Sequence, residues 1–373
     1  MNEQNENYLA NVILSLLRSN VNFTDMQIGS DEPIKLKTSK GWINALINHD
    51  GADIEAPPMP VVPTMEDVQN FVSKIDENYV ENLKVKDINR PLELTESRLR
   101  INAYLTKAGE QLRVAIRRIN KKPPTLIETG LPAGARILTE NSSGLILISG
   151  ATGSGKTTTM ASMLDDVINP TRNSHVITIE DPIEYVFEAN KSFFSQREIG
   201  IDCISFAEGV KSAMRQRPEV IVIGEIRDRD TAEQALLAGE SGHLVIGTLH
   251  ANSAVGTVTK MLGFFGASER ESRMQSLASC LVGIINQTLI PRLNGDGYVL
   301  AVDLVANHKR EYSKLIQQPD SMQSMLDRAD DGVSISLGKS VIKLIESGAI
   351  SKADAVKAVA GNAAVYDLIR NLK

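Results

Sequence analysis

The sequence predicts a two-domain protein: a mixed α+β unit, then an α/β unit with a mostly parallel sheet and a helical tail. Three observations predict it. Short apolar runs alternate with helical stretches through the middle of the chain, as strands do when crossover helices join them in one parallel sheet. Lys121-Lys122-Pro123-Pro124 divides that region from what precedes it, because two prolines cannot continue a helix or a central ladder. And 373 residues exceed one ordinary core. The expected divisions are 1–120, a linker at 121–124, the α/β domain at 125–310 and a helical region at 311–373.

Each element has its own signal. In residues 8–18, Tyr8, Leu9, Val12, Ile13, Leu16 and Leu17 recur at helical spacing. Met26-Gln27-Ile28 and Ile34-Lys35-Leu36-Lys37 alternate as half-buried strands do, with Gly29 to Pro33 as the break. Ala56-Pro57-Pro58-Met59-Pro60 reads as a loop, and 65–83 as helix. Strands are expected at Leu99–Tyr104 and around Leu112-Arg113-Val114. Beyond the linker come strands at Leu145–Ile148, Val176–Ile179, Val220–Ile223 and Leu244–Ile246. Helices fall between them at Thr157–Ile168, Phe206–Gln216 and Asp230–Ala238. After residue 310 short helices follow, clearest at Val341–Ser347 and Lys352–Val359.

The composition excludes several classes. With 40 Lys+Arg against 46 Asp+Glu the net charge is −6, which argues against nucleic acid as a direct substrate. The polar, acidic start Met1-Asn2-Glu3 lacks a secretory leader's pattern, and no apolar run approaches the roughly 18 residues that span a bilayer. A cytoplasmic protein is expected, one that reaches a membrane through partners. Cys203 and Cys280 lie far apart without CxxC spacing, so reduced thiols are expected rather than a zinc site or a disulfide.

Gly150-Ala151-Thr152-Gly153-Ser154-Gly155-Lys156-Thr157 matches GxxxxGK[ST] in full, follows an apolar strand and opens a helix. The glycines let backbone N–H groups turn toward an anion, and the helix N-terminus adds partial positive charge. Lys156 would neutralise the outer phosphates, and the Thr157 hydroxyl would ligate Mg²⁺, with Thr158 beside it. ATP and Mg²⁺ are the expected ligands. No NKxD segment signals guanine.

In a parallel sheet, ligands sit beyond the carboxyl ends of the strands. Polar clusters flank three strands: Glu180-Asp181-Pro182-Ile183-Glu184, Gly224-Glu225, and Thr248 with His250, plus His243 just before the last strand. Carboxylates at those ends can orient water and hold a metal. Gly224 stands where a usual Walker B strand carries Asp, which leaves metal ligation to Thr157, Glu225 and water.

These segments together resemble the secretion-superfamily ATPases of the PilT-like and DotB-like branch. The family's Asp box looks like Thr178–Glu184, its atypical Walker B like Val222–Asp228 and its His box like Gly242–His250. Gln196-Arg197-Glu198-Ile199-Gly200 and Gln287-Thr288-Leu289-Ile290-Pro291-Arg292 are also similar. The resemblance implies a PAS-like first domain, a RecA-like second domain and a hexameric ring. It implies that Glu184 polarises the attacking water, that Glu225 acts at the metal and senses nucleotide, and that His243 and His250 read the phosphate. Arg100 and Arg113 are the implied arginines supplied to a neighbour's nucleotide. The cysteine-rich module of the assembly-type members is missing. Ser205–Val210 and Arg215-Gln216-Arg217-Pro218 look closer to the DotB-like branch. The expected function is therefore a motor at an inner-membrane secretion or conjugation machine, with pilus retraction as the alternative. A RecA-like nucleic-acid motor shares the core but conflicts with the acidic charge.

Overall fold

The computed structural model describes residues 8–21, 23–38, 41–47, 59–94, 97–120, 122–294 and 297–372. They fall into two compact units, 1–121 and 122–373. The acidic start, residues 56–58 of the expected loop and Lys121 of the expected linker lie outside the described residues.

The first unit opens with α1 (Tyr8–Arg18), which buries the five aliphatic residues of its apolar stripe. Strands β1 (Asp25–Gly29), β2 (Lys35–Thr38) and β3 (Gly41–Asn44) follow, then a two-residue pairing of β4 (Leu46–Ile47) with β5 (Met59–Pro60). Helix α2 (Met65–Ile75) starts at Thr64, whose hydroxyl and backbone form a capping box with Asp67. The helix expected over 65–83 is two pieces. Asp76 interrupts it by accepting from the Asn78 N–H and the Asn82 amide, and α3 (Tyr79–Asn82) resumes. Strands β6 (Ile88–Glu93), β7 (Ser97–Thr106) and β8 (Gln111–Asn120) complete an antiparallel sheet ordered β3-β2-β1-β8-β7-β6. Met26, Ile28, Leu99, Ile101, Val114 and Ile116 bury one face against the aliphatic faces of α1 and α2. The opposite face carries Arg100, Asn102, Tyr104, Arg113 and Arg117, because side chains alternate along each strand.

In the second unit a 3₁₀ stretch (Ala133–Glu140) leads into β9 (Gly144–Gly150), α4 (Lys156–Ser162) with a π-helical continuation (Met163–Ile168), and α5 (Asn169–Thr171). Then come β10 (His175–Glu180), β11 (Phe193–Glu198), α6 (Phe206–Ala213), β12 (Val220–Ile223), α7 (Arg229–Glu240) and β13 (Leu244–Leu249). Helices α8 (Ala254–Gly263) and α9 (Ala267–Cys280) precede the hairpin β14 (Leu281–Pro291) and β15 (Tyr298–Ala306). The sheet order is β11-β10-β12-β13-β9-β14-β15, parallel except for β14 with β15.

Alternate strand residues enter two cores, as a sheet covered on both faces requires. Leu145, Leu147, Ile221 and Val245 pack under α6 to α9, while Ile146, Ile148, Val220 and Ile246 pack under the 3₁₀ stretch and α4 with its π turn. Helices α10 (Pro319–Asp327), α11 (Leu337–Glu346), α12 (Lys352–Ala358) and α13 (Ala363–Arg370) end the chain. Leu337, Val341, Val359 and Ile369 share a core with Ile290 and Ala301 of the hairpin. This is the expected α/β architecture: an α+β unit, a mostly parallel sheet and a helical tail. Both cysteines are free, Cys280 buried and Cys203 half-buried. Among the described residues no helix is long and apolar enough to cross a membrane.

Candidate active site

The parallel register brings the carboxyl ends of four strands to one edge. Ser149 lies beside Leu249, Leu147 beside Gly247, and Ile223 beside both Gly247 and Ile179. The Gly150–Thr157 loop, Glu180–Glu184, Glu225 and His250 all leave the sheet there.

Gly150 has φ 147°, and a Cβ on it would lie 2.5 Å from the Gln287 carbonyl oxygen and closer still to Ser154 Oγ. Only glycine fits that close turn. Helix α4 begins at Lys156, so its first N–H groups face the loop. Lys156 Nζ donates to the carbonyls of Gly150 (3.1 Å) and Ala151 (2.9 Å), which seats the ammonium over the loop. Burial lowers the Lys156 pKa, while Glu225 and then Glu184 oppose the shift. One half-buried cation therefore senses both carboxylates. Ser154 Oγ is buried without a hydrogen-bond partner among the described residues. A leftover donor inside a cationic, backbone-lined loop suits a polyphosphate.

Beneath the loop lies a buried polar network. Ser149 Oγ bonds Thr257 Oγ1 (2.6 Å), Asn286 donates to Ser149 Oγ and to the Ala251 carbonyl (2.9 Å each), and Gln287 donates to Thr159 Oγ1 (2.8 Å). It ties β14 to β9, to the start of α4 and to the segment after His250. His250 Nε2 lies 3.3 Å from Glu225 Oε1. The Thr248 hydroxyl donates to the Gly224 carbonyl.

Gly224 is glycine for want of space. Its N–H donates to the Ile179 carbonyl (2.8 Å), and a Cβ would lie 3.0 Å from that oxygen and 3.2 Å from Glu180 Cα. The backbone of β10 thus crowds any side chain at the position of the Walker B aspartate. Gly224→Asp is expected to destabilise the second unit by about 1–3 kcal/mol through overpacking and to restore no metal ligand. Urea unfolding checks this, and parent stability with raised turnover would refute it. Among the described residues no cluster of three or more His, Cys, Asp or Glu could hold a metal.

Glu180, which the sequence placed in the polar cluster without a role, is buried. It accepts from the Thr178 hydroxyl (2.6 Å), and burial pushes its pKa up to about 7.

Two expected site residues have other partners in this structure. His243 is not at this edge. It precedes β13, its carbonyl accepts from the Gly144 N–H at the start of β9, and its Nδ1 contacts the Ala238 carbonyl (3.1 Å). The six residues of β13 separate it from the phosphate loop, about 20 Å at strand rise. Arg113 is also engaged elsewhere: its guanidinium bonds both Glu32 oxygens, at 2.7 and 2.6 Å. The residue directly opposite Arg100 is Arg117, which sequence reading missed. Like charges across a strand pair repel. Arg117 has Asp25 at 2.8 Å, whereas Arg100 makes no hydrogen bond or ion pair among the described residues. The two arginines line a groove of about 280 Å³ with Asp25, Gln27, Asn89 and Asn102 on the first unit.

A phosphate loop with facing carboxylates at the carboxyl edge of a mostly parallel sheet defines a P-loop nucleoside triphosphatase. Residues 77–331 match the family model described as type II/IV secretion system protein, and the chain belongs to that family. It is an ATP-hydrolysing enzyme of the secretion and pilus ATPases. It is 37% identical over 256 residues to the type IV pilus retraction ATPase PilT of Pseudomonas aeruginosa, covering 69% of this chain and 72% of that protein. It is 36% identical over 311 residues to a twitching motility protein of Neisseria gonorrhoeae, covering 80% and 77%. Among solved structures it is similar to the pilus retraction motor PilT with bound ADP (TM-score 0.79, 32% identity, 95% and 96% covered). It is also similar to the ATPase DotB of Legionella pneumophila (TM-score 0.80, 25% identity, 95% of each chain).

Proposed function

We propose that the chain is a ring-forming motor, a homo-hexamer, that couples ATP hydrolysis to transport at an inner-membrane machine, working from the cytoplasmic side through membrane partners. The observation that carries the reading is the phosphate loop, with Lys156 seated over it, at the same sheet edge from which Glu180–Glu184 and Glu225 leave their strands. Backbone N–H groups of Gly150–Thr158 and Lys156 bind the phosphates. Glu184 orients the attacking water and takes its proton. The Thr157 hydroxyl and Glu225 would hold Mg²⁺, and the ion would supply positive charge to the outer phosphates. His250, paired with Glu225, reports the phosphate to the segment anchored by Asn286. Arg100 and Arg117 serve a neighbouring copy's nucleotide.

The identities of 36–37% favour pilus retraction as the work done. The DotB-like secretion or conjugation reading is supported by the full-length likeness to that ATPase. Glu184→Gln keeps the side chain's size and removes its proton-accepting charge, so it is expected to bind ATP normally and lose turnover about 10²–10⁴-fold. Nucleotide binding and phosphate release on the purified protein measure both. Parent-rate hydrolysis would remove Glu184 from the chemistry.

A further inference from the structure

The segment that carries Glu184, residues 181–187, has no regular secondary structure, yet its backbone is held at several points. Strand β11 runs parallel to β10 with Gln196 beside Thr178 and Glu198 beside Glu180. Residues two apart on a strand share a face, so both side chains reach the same side as Glu180. Glu198 Oε2 accepts from the Ile183 N–H (3.1 Å). Gln196 uses both ends of its amide: Oε1 accepts from the Phe187 N–H (3.0 Å), and Nε2 donates to the Tyr185 carbonyl (2.7 Å) and to Glu180 Oε1 (3.3 Å). The Tyr185 hydroxyl then meets Thr158 Oγ1 (3.3 Å), one residue past Thr157. Glu184 thus lies between two backbone neighbours that β11 holds.

We propose that Gln196 is a positioning residue for ATP hydrolysis, which clamps the Glu184 segment against the sheet edge and so fixes the carboxylate's distance from the phosphate loop. Only a side-chain amide meets the demand. The segment offers one carbonyl and one N–H, so a donor and an acceptor are needed at the same place. Glu in its place would offer two acceptors and set a second carboxylate against Glu180. The inference rests on the proposed role of Glu184, and the test separates the two.

Steady-state ATP hydrolysis is measured on the whole protein carrying Gln196→Ala, Gln196→Glu, Ser195→Ala, Glu184→Gln, and Glu184→Gln with Gln196→Ala. Misplacing a catalytic group costs about 10- to 100-fold. Gln196→Ala and Gln196→Glu are each expected to lower kcat by that much while KM for ATP stays within about twofold, because phosphate binding is left intact. Ser195→Ala breaks a bond of the same strand to His175 (2.9 Å) that does not touch the segment, so it is expected to keep the parent kcat. In the Glu184→Gln background, Gln196→Ala is expected to add no further loss. Parent-like kcat in Gln196→Glu, or a full additional loss in the double variant, overturns the proposal. Should Gln196→Ala fail to fold, the isosteric Gln196→Glu carries the same two readouts alone and in the Glu184→Gln background. A parent rate in Glu184→Gln itself, whatever Gln196 does, would instead sink the role given to Glu184.

Discussion

Lys156→Ala is expected to lower ATP turnover by about 10³-fold, near 4 kcal/mol of transition-state stabilisation. The ammonium is seated over the phosphate loop by two carbonyl bonds, with Glu184 and Glu225 within electrostatic reach. Without it, the loop itself offers the outer phosphates only backbone N–H groups, beside two carboxylates and two outward carbonyls. Those donors are partial charges, and they lie in a partly desolvated loop where charge is costly to leave uncompensated. The loop's shape is expected to survive, because Gly150 and the Asn286–Ser149–Thr257 network set it, not the lysine. Phosphate release and a thermal melt separate the cases: turnover collapses while the melting temperature holds within a few degrees. A parent-like rate in Lys156→Ala protein would remove this loop as the catalytic phosphate site.

The parallel strands were legible because their sequences are unmixed. Leu145–Ile148 and Val220–Ile223 are buried on both faces, so nothing polar interrupts them. Strand β14 was not legible, since Asn286 and Gln287 sit in its middle. They are there to bond Ser149 and Thr159 beneath the phosphate loop, and that demand outweighs the apolar pattern. β11 was hidden for a similar reason: Gln196 and Glu198 spend their polarity on the Glu184 segment. The helix expected over 65–83 broke because Asp76 competes for backbone donors, which periodicity does not register.

His243 could have been placed from the sequence. A residue that precedes its strand in a parallel sheet lies at the amino edge, away from the ligand. Arg117 needed the hairpin register. In β8, Arg113, Arg117 and Arg118 are all basic, and only the turn at Lys107–Glu110 decides which faces Arg100. Arg118 points to the other face, over the Phe23 ring.

Arg100→Ala is expected to lower ATP hydrolysis about 10³-fold, the low end for removing an arginine supplied to a phosphoryl transition state, while leaving ATP binding intact. Arg100 sits on a polar sheet face, opposite Arg117 and without an acid of its own among the described residues. A surface built that way gains by meeting an anion. If the anion is a neighbouring copy's nucleotide, the defect must be cured in trans. Arg100→Ala subunits keep an intact phosphate loop, and Lys156→Ala subunits keep an intact Arg100. Each pure protein is expected to be inactive. Mixed at equal ratio in a ring, about a quarter of the interfaces pair a working loop with a working arginine, so activity is expected to return and to peak near equal proportions. Mass spectrometry confirms subunit exchange, and phosphate release is followed across mixing ratios. The same mixture made with Arg113→Ala in place of Arg100→Ala serves as the contrast: its guanidinium is committed to Glu32, so that variant alone is expected to retain most of its turnover. Parent-like turnover in pure Arg100→Ala protein, or a flat baseline after verified exchange, would show that this face does not act across the ring.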